Sequence, residues 1–186
     1  MQNLLSIDVI KECKKGNSMA QHMVYKQHAS AMYSISVRIV GNTGEAEDVV
    51  QQSFIQAFSK LYKLDDESLF GPWLKKIVVN NSIDKLRRRK VQFLSLDDDH
   101  HSVMALYSAP TEIIENRTDT VECIKQAILQ LPDGYRSILS LYLIEGYDHS
   151  EISEILGISE STSRSQYARA KIKLREILKN NFKIQR

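Results

Sequence analysis

The stretch Tyr147 to Ala170, YDHSEISEILGISESTSRSQYARA, reads as two short helices meeting at a tight turn, a helix-turn-helix. Asp148 followed three residues later by Glu151 forms a capping box that starts the first helix at about His149. Ile152, Ile155 and Leu156 give that helix one apolar face, and Ser153 is small where a second helix must cross closely. Gly157 suits the left-handed conformation that ends the helix, Ile158 plugs the corner and Ser159 caps the next helix. The early turns of that second helix expose Ser161, Thr162, Arg164, Ser165 and Gln166, whose short or forked donors suit phosphates and major-groove base edges. Tyr167, Ala170 and Leu174 face inward. The plainer alternative is a helical hairpin buried in a bundle. From Ser161 onward, however, eight Lys or Arg, including Arg169, stand against one acid, Glu176, which is electrostatics for a polyanion.

Working outward, the net charge of +2 conceals a pattern. Residues 1–96 carry +5, 97–120 carry −5 and 121–186 carry +2, counted from Lys, Arg, Asp and Glu. Two basic modules flanking an acidic connector suggest nucleic acid touched at two places. With 186 residues, each half has only a modest core to bury. Cys13 and Cys123 lie far apart without a CxxC or Cys/His cluster, so neither a disulfide framework nor a metal site is indicated, and no cofactor is expected. There is no charged-then-apolar leader and no apolar run near the length of a membrane span. The expected location is therefore a reducing cytoplasm, without membrane insertion.

At the N-terminus, Ser6 caps a short helix through Lys15 that Gly16 closes, with Ile7, Ile10 and Cys13 inside. Met19 to Val40 predicts one bent helix or two, burying Met23, Val24, Met32, Ile35 and Ile39, with His22 and His28 as surface or filler residues. Glu45 to Lys60 is the most regular segment, with apolar or small residues at 46, 49, 50, 53, 54, 57, 58 and 61. Its other face shows Glu47, Asp48, Gln51, Gln52 and Gln56, with Ile55 among them. That face is either simply solvated or, given its glutamines and one exposed isoleucine, suited to a protein partner.

A polar loop over 62–71 leads to Pro72, which fits the first turn of a helix begun by Trp73 and running to Lys90. Its end, Lys85 followed by Arg87 to Lys90, carries more positive charge than a helix dipole calls for, which favours a phosphate-facing role. Trp73 beside Phe70 is either core or a platform for an unpaired base. Residues 91–120 lack periodicity and read as an irregular acidic linker; His100 and His101 beside Asp97 to Asp99 do not amount to a metal site. Helices over 120–130 and 135–144, broken at Leu131 to Gly134, lead into the helix-turn-helix. The expected fold is all-α: two small helical domains, 1–92 and 120–186, joined by the linker 93–119.

Three blocks carry a resemblance. AEDVVQQSFIQAF (46–58), FGPWLKKIVVNNSIDKLRRR (70–89) and LPDGYRSILSLYLIEGYDHSEISEILGISESTSRSQYARAKIKLREIL (131–178), in this order, resemble the two-domain bacterial sigma factors of the extracytoplasmic-function (ECF) group. The resemblance implies a non-enzymatic transcription initiation factor. Its first domain (region 2) binds the clamp helices of the RNA polymerase β′ subunit and opens the −10 promoter element; its second (region 4) binds the −35 element and the β flap. By the same resemblance, the core-binding motif maps to Asp48, Gln51 and Gln52. The −10 and melting residues map to Trp73, Lys76, Asn80, Asp84, Arg87 and Arg88, with the 62–71 loop where a flipped base is captured. The −35 helix maps to Ser161, Thr162, Arg164, Ser165, Gln166 and Arg169. Implied partners are core polymerase and promoter DNA, with an anti-sigma factor as a further candidate.

This chain departs from the family pattern at Gln52, where Glu is usual, and at Pro72 and Asn81, where small or apolar residues are usual. Ser163 replaces a Val that anchors the recognition helix, and Gln166 replaces a common Arg. Two rival classes fit less well. A response regulator requires strand-helix alternation in its N-terminal half, and a recombinase or transposase requires a nucleophile with an Arg cluster or an acidic triad; neither pattern is present.

Overall fold

The computed structural model describes residues 2–94 and 117–184, all of whose regular elements are helical. Its chain divides into two compact units, Met1–Leu86 and Arg87–Arg186. The expected linker lies largely outside the described residues, as do Asp97 to Asp99, His100 and His101.

In the first unit, α1 (Gln2–Lys14) packs on α2 (Ser18–Val40), which packs on α3 (Thr43–Ser59). Asn17 caps α2, its side chain accepting from the backbone of Met19 and Ala20, and Asn42 caps α3 by accepting from Glu45 at 2.9 Å. Between these helices Gly41 takes φ 75°, a conformation a side chain would strain, and donates its N–H to Val37 O. Two short 3₁₀ turns, Leu61–Lys63 and Glu67–Leu69, then lead into α4 (Phe70–Leu94). The core is Ile10, Val24, Ile35, Ile39, Val49, Val50, Phe54, Phe70, Leu74 and Val78, all buried.

Several sequence expectations are corrected here. The first helix starts at Gln2, so Ser6 is not its cap. Residues 18–40 form one helix, and Met23, expected in the core, is 53% exposed because the side of α2 it occupies is not covered by α3. The helix expected to start at Trp73 begins at Phe70, which puts Pro72 in its first turn, and it runs on to Leu94.

The second unit contains α5 (Arg117–Leu129), α6 (Asp133–Leu139), α7 (His149–Leu156) and α8 (Glu160–Ile184). After α6 the chain widens into a π turn, Ser140–Ile144, whose signature is Glu145 N–H bonded to Ser140 O at 3.0 Å. Leu131, Leu139, Ile128 and Ala170 form a core against which Tyr135, Leu174 and Ile177 pack. Arg136, on α6, is buried, donating to Leu131 O at 2.8 Å and pairing with Asp133. Burial pushes its pKa down while Asp133 opposes that shift.

Candidate nucleic-acid and partner interfaces

The helix-turn-helix is built by short-range bonds. Asp148 accepts from Glu151 N at 2.8 Å while Glu151 Oε2 accepts from Asp148 N at 2.9 Å, so the capping box is closed from both sides. Gly157 ends α7 at φ 68°, and the carbonyl of Ser153 accepts from both Gly157 N and Ile158 N. Ser159 Oγ accepts from Thr162 N at 3.1 Å and caps α8. Ile152 and Ala170 are fully buried, which turns the polar side of α8 to solvent.

On that side Ser161, Arg164, Ser165 and Arg169 are exposed, and Thr162 and Gln166 half-buried. Thr162 Oγ1 stands 2.8 Å from Ser159 Oγ, and Ser165 donates to Thr162 O at 3.0 Å. Arg164 Nη2 reaches Glu160 Oε2 at 2.9 Å, an exposed pair that yields readily to a stronger acceptor. Lys171 Nζ lies 4.6 Å from the centre of the Tyr167 ring. Ser163 is fully buried, and its hydroxyl lies 2.8 Å from His149 Nδ1, with His149 in turn stacked on Tyr142 at 4.6 Å. Sequence reasoning noticed Ser163 as a departure and missed its partner, because the two stand on different helices.

A second polar row runs along α4. Lys76, Asn80, Asp84, Arg87 and Arg88 are exposed and Trp73 is half-buried, at spacings of three or four residues that keep them on one side. The opposite side holds Leu74, Val78 and Ile83 in the core. Trp73 is 6.2 Å from Phe70, whose ring meets His28 edge-on at 5.5 Å; Phe70 is thus the core aromatic and Trp73 the outer one. Asn81, on the inner side, donates to Ser53 Oγ at 2.9 Å and Gln56 Oε1 at 3.0 Å, tying α4 to α3.

The third surface lies on α3. Asp48, Gln51 and Gln52 are exposed, and Ile55 beside them is 63% exposed. Gln51, Ile55, Phe54 and Phe58 line one wall of a groove whose other wall is His22 and Tyr25 of α2. Met19 and Met23 are also exposed on α2, so it contributes adaptable apolar surface, of which Met23 was expected in the core. Among the described residues no group of His, Cys, Asp and Glu is arranged to hold a metal ion, and no helix is long and apolar enough to cross a membrane.

Comparison with known proteins matches the chain to a family. Sigma-70 region 2 is matched by residues 24–91 and sigma-70 region 4 by residues 121–174. The ECF RNA polymerase sigma factor SigW of Bacillus subtilis (strain 168) is 32% identical over 178 residues, spanning 92% of this chain and 95% of that protein. The fold is shared with the sigma factor RpoE of Bartonella quintana, solved with the anti-sigma factor NepR: 22% identity, TM-score 0.56, 85% of this chain and 96% of that one. It is shared also with CnrH, solved with the cytosolic domain of CnrY: 22% identity, TM-score 0.53, covering 94% and 97% respectively. A two-domain sigma factor is the class these units define. The chain belongs to the ECF group of the sigma-70 family: a non-enzymatic transcription initiation factor whose region 2 and region 4 domains serve promoter recognition with core RNA polymerase.

Proposed function

We propose the following division of labour. The face of Asp48, Gln51 and Gln52, extended by Ile55 and the exposed methionines of α2, docks on the β′ clamp helices of core polymerase. The row from Trp73 to Arg88 recognises and melts the −10 element, with Arg87 and Arg88 on phosphates and Asn80 and the 62–71 loop handling an exposed base. The exposed start of α8, Ser161 to Arg169, reads the −35 element in the major groove while its unit meets the β flap. Domain limits of 1–92 and 120–186, with an acidic connector at 93–119, follow from the same reading. The protein then works in the cytoplasm with polymerase and DNA. An anti-sigma factor is a further proposed partner, since Met19 and Met23 of α2 and Ile55 of α3 are exposed apolar side chains of the kind a protein partner covers.

The observation that supports this reading best is the two-sided character of α4, whose inner side is core and whose outer side carries Lys76, Asn80, Asp84, Arg87 and Arg88. A small protein can melt DNA only if it offsets stacking of about 1.4 kcal/mol per base-pair step. Trapped bases, held phosphates and a polymerase anchor together supply that. Promoter binding measured with and without core enzyme tests it: specific binding and opening are expected only in the holoenzyme. Equal binding and opening by the protein alone would contradict the proposal.

A further inference from the structure

Neither the docking face nor the two DNA-facing rows uses α1, yet one side chain of α1 reaches the loop beside α4. Lys14 Nζ donates to the carbonyl of Leu64 at 2.6 Å and to Glu67 Oε1 at 2.8 Å. Its side chain is only 26% exposed, and Leu64 itself is buried. Within the loop, Asp66 accepts from Ser68 N at 2.9 Å and from Ser68 Oγ at 2.6 Å. Leu61 and Leu64 pin the same loop from below as buried apolar residues. What these anchors leave outside is Tyr62, 72% exposed, and Leu69, 52% exposed, with Lys63 Nζ 5.8 Å from the Tyr62 ring centre. An exposed ring beside a cation is the chemistry on which an unpaired base stacks.

We propose that Lys14 is a positioning residue for promoter opening: by bridging Leu64 O and Glu67 across the loop, it holds Tyr62 in place to receive a −10 base. The inference rests on the reading that this loop handles the exposed base. A loop ordered before the base arrives does not have to be ordered during melting, so the entropic cost is removed from the opening step. The packing of α1 itself relies on Ile10 and Cys13, both buried, and not on the Lys14 ammonium. An isolated ion pair at this level of exposure adds little to stability, so the clamp is better explained by the shape it imposes.

The test uses holoenzyme assembled with Lys14→Met, Lys14→Arg or Tyr62→Ala, and promoters carrying a fluorescent base analogue and each base in turn across the −10 element. Lys14→Met should bind core polymerase and melt thermally like the parent, open duplex promoter several-fold more slowly and flatten the preference at one −10 position. Lys14→Arg should restore part of both, since a guanidinium can reach the same acceptors. Loss of base preference is the decisive readout, because a merely structural lysine would not alter it. If Lys14→Met destabilises the fold, Glu67→Gln, which removes the charge with little change in volume, should give a smaller loss in the same direction. Parental opening and base preference in Lys14→Met or Glu67→Gln, with both altered in Tyr62→Ala, overturns the clamp alone. If Tyr62→Ala also changes neither, the base-handling reading of the loop falls with it.

Discussion

His149 Nδ1 and Ser163 Oγ lie 2.8 Å apart, joining the first helix of the helix-turn-helix to the buried side of the second through a hydrogen bond. Ser163 is fully buried, and the imidazole stacks on Tyr142 at 4.6 Å and meets Tyr167 edge-on at 5.8 Å, the two tyrosine rings themselves lying 4.5 Å apart. Removing His149 strands the buried Ser163 hydroxyl, so His149→Leu should cost about 1–3 kcal/mol and Ser163→Ala, which leaves a half-buried imidazole, less; replacing both with apolar groups should cost less than the two singles together. The measurement is a double-mutant cycle with Ser163→Ala and His149→Leu, followed by the near-ultraviolet signal of Tyr142 and Tyr167. Strict additivity of the two changes would show that the pair carries no coupling.

What was legible in the sequence is what acts within about four residues along the chain. The Asp148 and Glu151 box, the Gly157 turn and the Ser159 cap are each written in adjacent positions, and each forms as read. The apolar stripe of α3 was legible for the same reason, and its residues 46, 49, 50, 53, 54 and 57 are buried. Pairs across elements were not: Lys14 with Glu67, Asn81 with Ser53 and His149 with Ser163 depend on which helix lies beside which. Met23 failed on the same ground, since periodicity finds the sides of α2 without saying which one α3 covers. Asn81 reads as an exception to an apolar pattern until Ser53 and Gln56 are seen to receive its two donors.

The exposed face of α3 predicts a separation of docking from stability. Gln51→Arg with Gln52→Arg should abolish co-elution with core polymerase, while the fold loses no more than about 0.5 kcal/mol, as is usual for exposed sites. Ile55→Glu should weaken the same association, and Met23→Glu likewise if α2 contributes to the interface. Retained co-elution by a folded double arginine variant would remove this face from the contact.

Along α4, strand separation and phosphate binding should be separable by the choice of DNA. Asn80 and Arg87 are both exposed, but only Asn80 is assigned to an unpaired base. A promoter with a pre-melted bubble should rescue Asn80→Ala far better than Arg87→Ala, because the bubble supplies opened bases and not positive charge. Transcription from duplex and bubble templates compares them, and equal rescue would merge the two roles.

The loop that Lys14 clamps should respond to acid. Hydrogen bonding from Lys14 holds the Glu67 carboxyl below its ordinary pKa. A depressed folded-state value means that the loop's added order is fully present above the ordinary glutamate range and is lost as pH falls through the lowered value. Asp66, lowered chiefly by its bond to the Ser68 hydroxyl, adds a loss of the same sign. Carboxyl titration by NMR should therefore show Glu67 moving upward in Lys14→Met with Asp66 nearly unmoved. An unchanged Glu67 inflection would mean that the clamp is not populated in solution.

On α8 two exposed arginines should play different parts. Arg164 stands in the first turns, where a helix entering the major groove brings side chains to base edges, and its fork can bind guanine O6 and N7 together. Before it does so it must leave Glu160 Oε2, 2.9 Å away, an exposed i,i+4 pair whose loss costs less than a bidentate base contact returns. Arg169 lies more than a turn further on, where the helix leaves the base edges, and there its partner should be a phosphate. Arg164→Ala should accordingly weaken binding to the cognate −35 element by about 1–3 kcal/mol and relax preference at one base. Arg169→Ala should weaken binding to all sequences alike and reduce the salt dependence by about one unit, the counterion released per phosphate contact. Holoenzyme binding to a panel of single-base −35 variants at several salt concentrations separates the two. If Arg164→Ala lowers affinity uniformly while Arg169→Ala shifts the base preference, α8 lies in the groove in the opposite orientation to the one the exposed Ser161, Arg164 and Ser165 suggest.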